Sequence, residues 1–176
     1  TLLEQAERFQ EIGAGIQIGS NGTVVMRELG LEAAMAARGV VPSAWDTRDL
    51  ETGRIVFETP LGPEAGERYG GLLYNIHRAD LIELLAAALP QDVIRLSAKC
   101  AAVGQSADKA WVTLATGETL EADAVIAADG IHSIVRRQLF GPDDVQSSKM
   151  VMWRALIDYD RMRDLGFDER GHNWTG

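Results

Sequence analysis

The sequence predicts an α/β fold in which two β-rich segments interrupt a framework of alternating strands and helices. In the segment DAVIAADGIHSIVRRQLFG (123–141), an apolar run stops at an acid and a glycine, and a helical pattern follows. Strands and helices also alternate through residues 78–141, whereas 41–77 and 147–176 are mostly strand-like. We therefore expect two spatial domains whose sequences interleave.

Composition and charge exclude several classes of protein. The 176 residues carry a formal net charge of −9, which argues against the clustered Lys and Arg of a nucleic-acid surface. A single cysteine excludes an intrachain disulfide framework and is typical of a reducing cytoplasm. No apolar run reaches the roughly 20 residues that a membrane-spanning helix needs. Because the chain starts without Met and stops at HNWTG, we expect a piece of a longer polypeptide.

The first half of the chain is predicted to open with a short apolar strand, TLLE, and a glycine-containing loop over 5–19. Two short helical patterns follow, with Ser20 or Asn21 as the N-cap of the first and Gly30 as its stop signal. The remaining pattern predicts a β-hairpin over 41–60, a Pro- and Gly-rich loop over 60–71 and a strand over 72–77.

The second half carries the clearest helix of the sequence. Residues 78–90, RADLIELLAAALP, hold one apolar stripe of leucines and end at Pro90. The pattern after Pro90 first predicts two short strands in 92–105 and two strands flanking a turn at 116–118. A buried strand over 124–128 and a helix containing Ile131, Val135 and Leu139 follow. The last predicted elements are a strand over 148–159 and a short helix over 160–166.

Asp129 and Gly130 stand at the carboxyl end of a predicted strand, where open α/β sheets place ligands. The preceding run AVIAA (124–128) is apolar enough to be buried on both faces of a parallel sheet. A carboxylate there could accept hydrogen bonds from a ligand hydroxyl, while Gly130 lets a ligand approach the backbone. Alternatively, Asp129 caps the helix that follows. The residues alone leave both roles open.

Two further residues are candidates for ligand binding. Glu4 ends a predicted strand, as does the acid that binds the ribose hydroxyls in dinucleotide-binding folds, although such an acid can equally be solvated. The motif GAGIQIG (13–19) follows a loop rather than a strand, so it is not the phosphate-binding turn. Arg78 opens a helix, where the dipole disfavours a cation. Either an anion such as a pyrophosphate or a surface position would explain it.

The order of three motifs is more specific than each motif alone. With EQAERFQEIGAGIQIGSNG, IHRADL and DAVIAADGIHSIVRRQLFG in this order, the chain resembles the single-component FAD-dependent aromatic hydroxylases over essentially its whole length. PLGPEAGERYGGLLYNIHRADL and WRALI are most similar to the salicylate and hydroxynicotinate types. The resemblance implies a Rossmann-like FAD/NAD(P)-binding domain interleaved with a β-rich substrate domain.

The resemblance also assigns cofactor-binding residues. Glu4 would hold the adenosine ribose with Gln5 beside it, and Gln17 would approach the cofactor from its loop. Arg78 would contact the cofactor near the pyrophosphate or ribitol. Asp129-Gly130 corresponds to a motif that the family links to both FAD and the nicotinamide cofactor.

A division into domains follows from the same resemblance. Residues 1–40 and 78–146 would form parts of the FAD-binding domain, 41–77 a β-rich insertion of the substrate domain, and 147–176 its next part. The Gly-rich turn that the family has upstream and the Gly-Asp motif that it has downstream are not in the sequence. We therefore expect N- and C-terminal parts of the fold to be missing.

The implied reaction is hydroxylation of a small aromatic acid of the salicylate, hydroxybenzoate or hydroxynicotinate type. NADH or NADPH would reduce the FAD, O2 would supply the oxygen atom, and a base would ionise the ring hydroxyl. Of His77, His132 and His172, only His172 lies in the later part of the substrate domain, which makes it the candidate base. No pair of histidines has metal-ligand spacing, so no metal is expected.

We also have expectations about the partners and location of the protein and about alternative functions. Besides the aromatic acid and O2, we expect no nucleic acid and no membrane partner, a cytoplasmic location and a homodimer. The alternatives are another FAD-dependent oxidoreductase of the same superfamily, such as an epoxidase, halogenase or reductase, and a non-catalytic fragment that reuses the fold.

Overall fold

The structure, a computed structural model, describes residues 1–9, 15–142, 144–151, 153, 155–165 and 168–176. Parts of the predicted loop over 5–19 and of the motif WRALI therefore lie outside the described residues. The α-helices are α1 (Ser20–Glu28), α2 (Glu32–Ala36), α3 (Pro63–Tyr69), α4 (Arg78–Ala87), α5 (Ile134–Phe140) and α6 (Tyr159–Met162). The strands are β1 (Leu2–Leu3), β2 (Gly15–Ile18), β3 (Ala44–Asp49), β4 (Ile55–Pro60), β5 (Tyr74–His77), β6 (Ile94–Arg95), β7 (Cys100–Gln105), β8 (Ala110–Leu114), β9 (Thr119–Ala122) and β10 (Arg170–Thr175).

The chain divides into two compact units, and each unit combines two separate stretches of sequence. The first unit comprises Thr1–Gln10 and Leu89–Trp153, and the second comprises Glu11–Ala88 and Arg154–Gly176. Helices and sheets occur in both units, which agrees with the predicted α/β class.

The first unit is built on a three-stranded antiparallel sheet in the order β7-β8-β9, with β1 and β6 paired in parallel as a second, small sheet. The buried core is formed by three apolar residues, Ala98, Val112 and Leu114. The side chain of Gln138 in α5 accepts a hydrogen bond from the backbone nitrogen of Val103 at 3.0 Å. This bond ties α5 to β7 beside that core.

The second unit contains a two-stranded antiparallel sheet of β2 and β5, in which Ile16 lies opposite Ile76 and Gln17 opposite Asn75. One face of this sheet joins α1, α2 and α4 in the largest core of the chain, which consists of Met26, Met35, Tyr74, Ile76, Leu81 and Leu84. Of the leucine stripe predicted in 78–90, Leu81 and Leu84 face the core as expected, whereas Leu85 and Leu89 are exposed. The other face of the sheet carries polar side chains.

A three-stranded sheet with the order β10-β3-β4 also belongs to the second unit. β3 and β4 form the antiparallel hairpin that the sequence predicts over 41–60. β10 runs parallel to β3, which places His172 directly opposite Asp46. The hairpin and the parallel strand thus bring charged residues from distant parts of the sequence onto one sheet.

The predicted loop over 60–71 is wrong, because it contains the helix α3. Pro63 occupies the start of this helix, where its missing N–H costs nothing, and Gly70 ends it with a left-handed φ of 76°. Proline and glycine here mark the two ends of a short helix rather than a loop.

Two predicted strands are also wrong. Residues 124–128 adopt no regular structure, and Ile126 is 93 % exposed. The described residues of the predicted strand over 148–159 form no strand either, and Trp153 is 93 % exposed. Within the described ranges neither segment has a pairing partner. An apolar run indicates a surface suited to burial, but a strand also needs a neighbour for its backbone hydrogen bonds.

Candidate functional site

The junction before α5 is organised by Asp129. Its Oδ2 accepts hydrogen bonds from the backbone nitrogens of Ile134 at 2.9 Å and Val135 at 3.3 Å. Ser133 is the N-cap of α5, and its hydroxyl accepts a hydrogen bond from the backbone nitrogen of Arg136 at 2.9 Å. Together the two side chains satisfy the first three N–H groups of the helix. The capping role that the sequence left open is therefore present.

The same contacts keep Asp129 ionised. A hydrogen bond from the Ser133 side chain lowers the pKa of Asp129, and the N–H groups of Val135 and Ile134 lower it further against the opposing effect of burial. The residue remains exposed. Gly130 follows with a positive φ of 77°, which glycine adopts at little cost. A ligand hydroxyl could still donate to this carboxylate.

Glu4 follows β1 in the first unit. Its Oε1 accepts a hydrogen bond from the backbone nitrogen of Ala6 at 2.8 Å, and its backbone nitrogen donates to the carbonyl of Arg95 at 3.0 Å. The residue is half-buried, and its Oε2 makes no hydrogen bond with other described residues. Gln5, next to it, is exposed. Glu4 can thus accept a hydrogen bond from a hydroxyl such as those of a ribose.

Gln17 lies in β2 of the second unit and not in a loop, so the expected loop position is wrong. It faces Asn75 across the β2–β5 pair. The Oδ1 of Asn75 and the Nε2 of His77 are buried, yet neither forms a hydrogen bond within the described part of the chain. Buried polar atoms are normally paired, so these two atoms lack a partner among the described residues. Asn75 was not among the site residues predicted from the sequence. The signal was the alternation of polar and apolar residues in YNIH (74–77).

Arg78 begins α4 directly after His77. His77 is the N-cap of this helix and makes no capping hydrogen bond through its side chain. Arg78 is exposed, and its side chain makes no ion pair with any residue that the structure describes. The helix dipole disfavours a cation at this end, whereas the N–H groups and the guanidinium together suit an anion.

An ion cluster occupies one face of the β10-β3-β4 sheet. We call it the Asp46 cluster, and its members are Asp46, Arg48, Glu58, Asp168, Arg170 and His172. Asp46 is fully buried and lies 2.9 Å from Arg48 and 3.1 Å from Arg170. Burial alone would raise the pKa of Asp46, but the hydrogen bonds from the two arginines outweigh it and hold the pKa below its usual value. This carboxylate was not among the site residues predicted from the sequence.

His172, the candidate base, belongs to the Asp46 cluster. Its Nδ1 lies 3.2 Å from an oxygen of Asp46, and its Nε2 lies 3.2 Å from an oxygen of Asp168. Each ring nitrogen therefore faces a carboxylate of the protein itself. This arrangement favours a role in the ion cluster over direct contact with a substrate.

The predicted site residues are divided between the two units. The first unit contains Glu4 and Gln5 together with Asp129 and Gly130. The second unit contains Gln17 and Arg78, which lie on or directly beside the β2–β5 sheet, and His172 on β10.

Comparison with known proteins identifies the family. The sequence profile of the family described as flavin containing amine oxidoreductase matches residues 64–155, more than half of the chain. The chain belongs to this family. The part that matches this flavin-containing family includes Arg78, Asp129 and Gly130.

Two of the relatives that the chain resembles are named as monooxygenases of aromatic acids. The chain is 37 % identical over 99 % of its length to 3-amino-4-hydroxybenzoate 2-monooxygenase from Streptomyces cremeus. It is 36 % identical over 89 % of its length to 6-hydroxynicotinate 3-monooxygenase from Pseudomonas fluorescens. The predicted relationship to aromatic hydroxylases is thereby confirmed. The chain spans 44 % and 40 % of the lengths of these two relatives.

A solved structure supports the fold class. HpxO from Klebsiella pneumoniae in complex with FAD superimposes on 77 % of this chain with a TM-score of 0.68 and 26 % sequence identity, and the match spans 34 % of that protein. The predicted α/β class of an FAD-binding protein is confirmed. None of the helices in the described ranges is long and apolar enough to cross a membrane.

The residues present fit FAD when each unit is considered by itself. In the first unit, Glu4 offers a carboxylate oxygen to a ribose hydroxyl. In the second unit, Arg78 offers an exposed cation at a helix start, and Asn75 and His77 offer buried polar atoms that lack partners. Phosphates, hydroxyls and ring N–H groups of a flavin dinucleotide are the complementary groups.

Proposed function

We propose that the protein is an FAD-dependent monooxygenase that hydroxylates a small aromatic acid with NADH or NADPH and O2. The observation that carries this proposal is the similarity, over 99 % and 89 % of the chain, to two enzymes named as monooxygenases of hydroxybenzoate and hydroxynicotinate compounds. Both named substrates are rings that carry a carboxylate and a hydroxyl. Membership of a flavin-containing family supports FAD as the cofactor.

Bound FAD would supply the redox chemistry, taking electrons from the nicotinamide and delivering one oxygen atom of O2 to the ring. The residues of this chain would bind and orient. We propose that Glu4 accepts hydrogen bonds from the adenosine ribose, with Gln5 beside it, and that Arg78 binds the pyrophosphate. The exposed carboxylate of Asp129 would accept a hydrogen bond from a cofactor hydroxyl while it caps α5.

We also propose the division of the chain that the resemblance implies. Residues 1–40 and 78–146 would serve FAD binding, and 41–77 and 147–176 would serve the substrate. Gln17 would approach the cofactor from β2. His172 remains a candidate for the base that ionises the ring hydroxyl, but its two carboxylate neighbours support a positioning role instead. The remaining proposals are a cytoplasmic location and a homodimer.

The proposal is tested with the protein produced from its complete gene. Purified protein should retain FAD, and aromatic acids that carry a ring hydroxyl should stimulate its oxidation of NADH or NADPH. Salicylate, 3-hydroxybenzoate and 6-hydroxynicotinate form the test set, and benzoate is the control without a ring hydroxyl. Oxidation that no aromatic acid stimulates would contradict the monooxygenase assignment.

A second arm separates the monooxygenase from an amine-oxidising enzyme, which the description of the family profile suggests. An amine oxidase takes electrons from its substrate, so an amine would bleach the flavin under anaerobic conditions without any nicotinamide. We expect no bleaching by amines and rapid bleaching by NADH or NADPH. Bleaching by an amine alone would favour the alternative.

A further inference from the structure

The side chains of Asn75 and His77 form a polar face on β5. Tyr74 and Ile76 of β5 turn into the core, and because side chains alternate along a strand, Asn75 and His77 lie on the opposite face. The Oδ1 of Asn75 and the Nε2 of His77 are both buried without a hydrogen bond to any described residue. Polar atoms left in this state lower stability, so their persistence points to a group that pairs with them.

On the neighbouring strand, a glycine and a glutamine lie opposite these two residues. β2 runs antiparallel to β5 and places Gln17 opposite Asn75 and Gly15 opposite His77. Because Gly15 has no side chain, the His77 ring has no cross-strand neighbour at that position. Gln17 is exposed, and its amide makes no hydrogen bond with the described part of the chain. We call Gln17, Asn75 and His77 the polar row.

The chemistry of the row restricts the group it can bind. A carbonyl oxygen such as Oδ1 of Asn75 only accepts hydrogen bonds, so the missing partner must be a donor. Carboxylate and phosphate oxygens are thereby excluded, because they also only accept. A hydroxyl or a ring N–H can donate to Asn75, and a hydroxyl can in addition pair with the imidazole of His77 in either tautomer.

We propose that Asn75 and His77 bind a hydroxyl or N–H group of a ligand that lies over β2 and β5, with Gln17 as the third contact. The inference rests on the proposed function, which provides two sources of that group. One source is the ring hydroxyl of the aromatic acid, and the other is a hydroxyl or N–H of the flavin. The chemistry is shared, and the experiment distinguishes the sources.

The test uses the protein produced from its complete gene and the variant Asn75→Leu, which replaces the polar group by an apolar one of similar size. Because an unpaired buried atom is removed, the melting temperature should stay the same or rise. Affinity for the ligand that the row recognises should fall about tenfold. Asn173→Leu is the matched control, since Asn173 is an exposed asparagine on β10.

Three probes are titrated by calorimetry: FAD, 3-hydroxybenzoate and benzoate. If the variant loses affinity for 3-hydroxybenzoate alone, the inference is supported and the polar row is assigned to the substrate. Weaker binding of FAD supports it and assigns the row to the cofactor. Wild-type affinity for all three probes would overturn the inference, whether or not the melting temperature falls.

A second variant covers the case in which Asn75→Leu does not fold. His77→Phe removes Nε2 and keeps an aromatic ring, and it should weaken the same probe as Asn75→Leu. Unchanged binding by this variant would overturn the inference. If the wild-type protein binds neither FAD nor 3-hydroxybenzoate, the proposed function falls together with the inference. If it binds both and the variants do as well, only the inference falls.

Discussion

The Oδ2 atom of Asp129 lies 2.9 Å from the backbone nitrogen of Ile134, the first residue of α5. The acid that the sequence predicts at the end of a strand follows no strand in the structure and instead caps a helix. A cap needs only an acceptor oxygen, whereas our proposal also has the Asp129 carboxylate accept a hydrogen bond from a cofactor hydroxyl.

Substitution of Asp129 separates these roles. Asp129→Ala removes the acceptor and should lower the free energy of unfolding by about 1 kcal/mol, as measured by urea denaturation. Asp129→Asn keeps an acceptor oxygen and should lower the free energy of unfolding by less. If the alanine variant is as stable as the wild type, the hydrogen bonds from the backbone nitrogens of Ile134 and Val135 contribute nothing to the free energy of unfolding.

Asp46 should matter more to stability than any exposed carboxylate of its cluster. It is fully buried, while Arg48 and Arg170 beside it are partly exposed. Loss of its charge removes the carboxylate that pairs with Arg48 and one of the three carboxylates that pair with Arg170. We expect Asp46→Asn to cost about 2 kcal/mol, between surface and fully buried pairs. The control Asp168→Asn changes a half-exposed carboxylate and should cost less than about 1 kcal/mol. Equal effects in denaturation experiments would contradict this ranking.

Stability should decrease in acid for the same reason. The folded state holds the pKa of Asp46 below its usual value, so the unfolded chain takes up a proton first as the pH falls. The contribution of Asp46 is therefore complete above the unfolded pKa of about 3.9 and is lost as the pH falls through the lower folded value. Denaturation midpoints between about pH 5 and about pH 2 should fall more steeply for the wild type than for Asp46→Asn. Parallel profiles would show that Asp46 contributes nothing.

Arg78 should contribute to FAD binding and not to the stability of the fold. Its side chain is exposed at the start of α4, where the helix dipole disfavours a cation, so Arg78→Ala should leave the melting temperature unchanged or slightly higher. Loss of a charge-assisted contact with a phosphate should weaken FAD binding by about tenfold or more. Arg54→Ala, another exposed arginine, is the control. FAD affinity equal to that of the control would remove Arg78 from the cofactor site.

The sequence predicts elements that are defined by local signals. Helix α4, the hairpin of β3 and β4 and the turn between β8 and β9 all appear where the pattern places them. Helix α3 was missed because its Pro63 and Gly70 also suit a loop. Local patterns do not reveal pairing partners, and for this reason the apolar run over 124–128 was mistaken for a strand.

Only the residues of the candidate site that lie in a recognisable sequence motif could be predicted. Asp129 stands in such a motif, and its capping contact could be anticipated from the helix that follows. The unpaired atoms of Asn75 and His77 could not, since they become visible only when the register of β2 and β5 is known. Asp46 was missed for a similar reason, because Arg170 and His172 reach it from more than 120 positions away.

The most direct test of the monooxygenase assignment follows the oxygen atom. Protein from the complete gene, with its bound FAD, is incubated with NADH or NADPH, an aromatic acid with a ring hydroxyl and ¹⁸O₂, and the product is analysed by mass spectrometry. The assignment predicts one ¹⁸O atom per molecule of hydroxylated acid. NADH or NADPH consumption that places ¹⁸O only in hydrogen peroxide or water, with no labelled acid for any substrate of the test set, would contradict it.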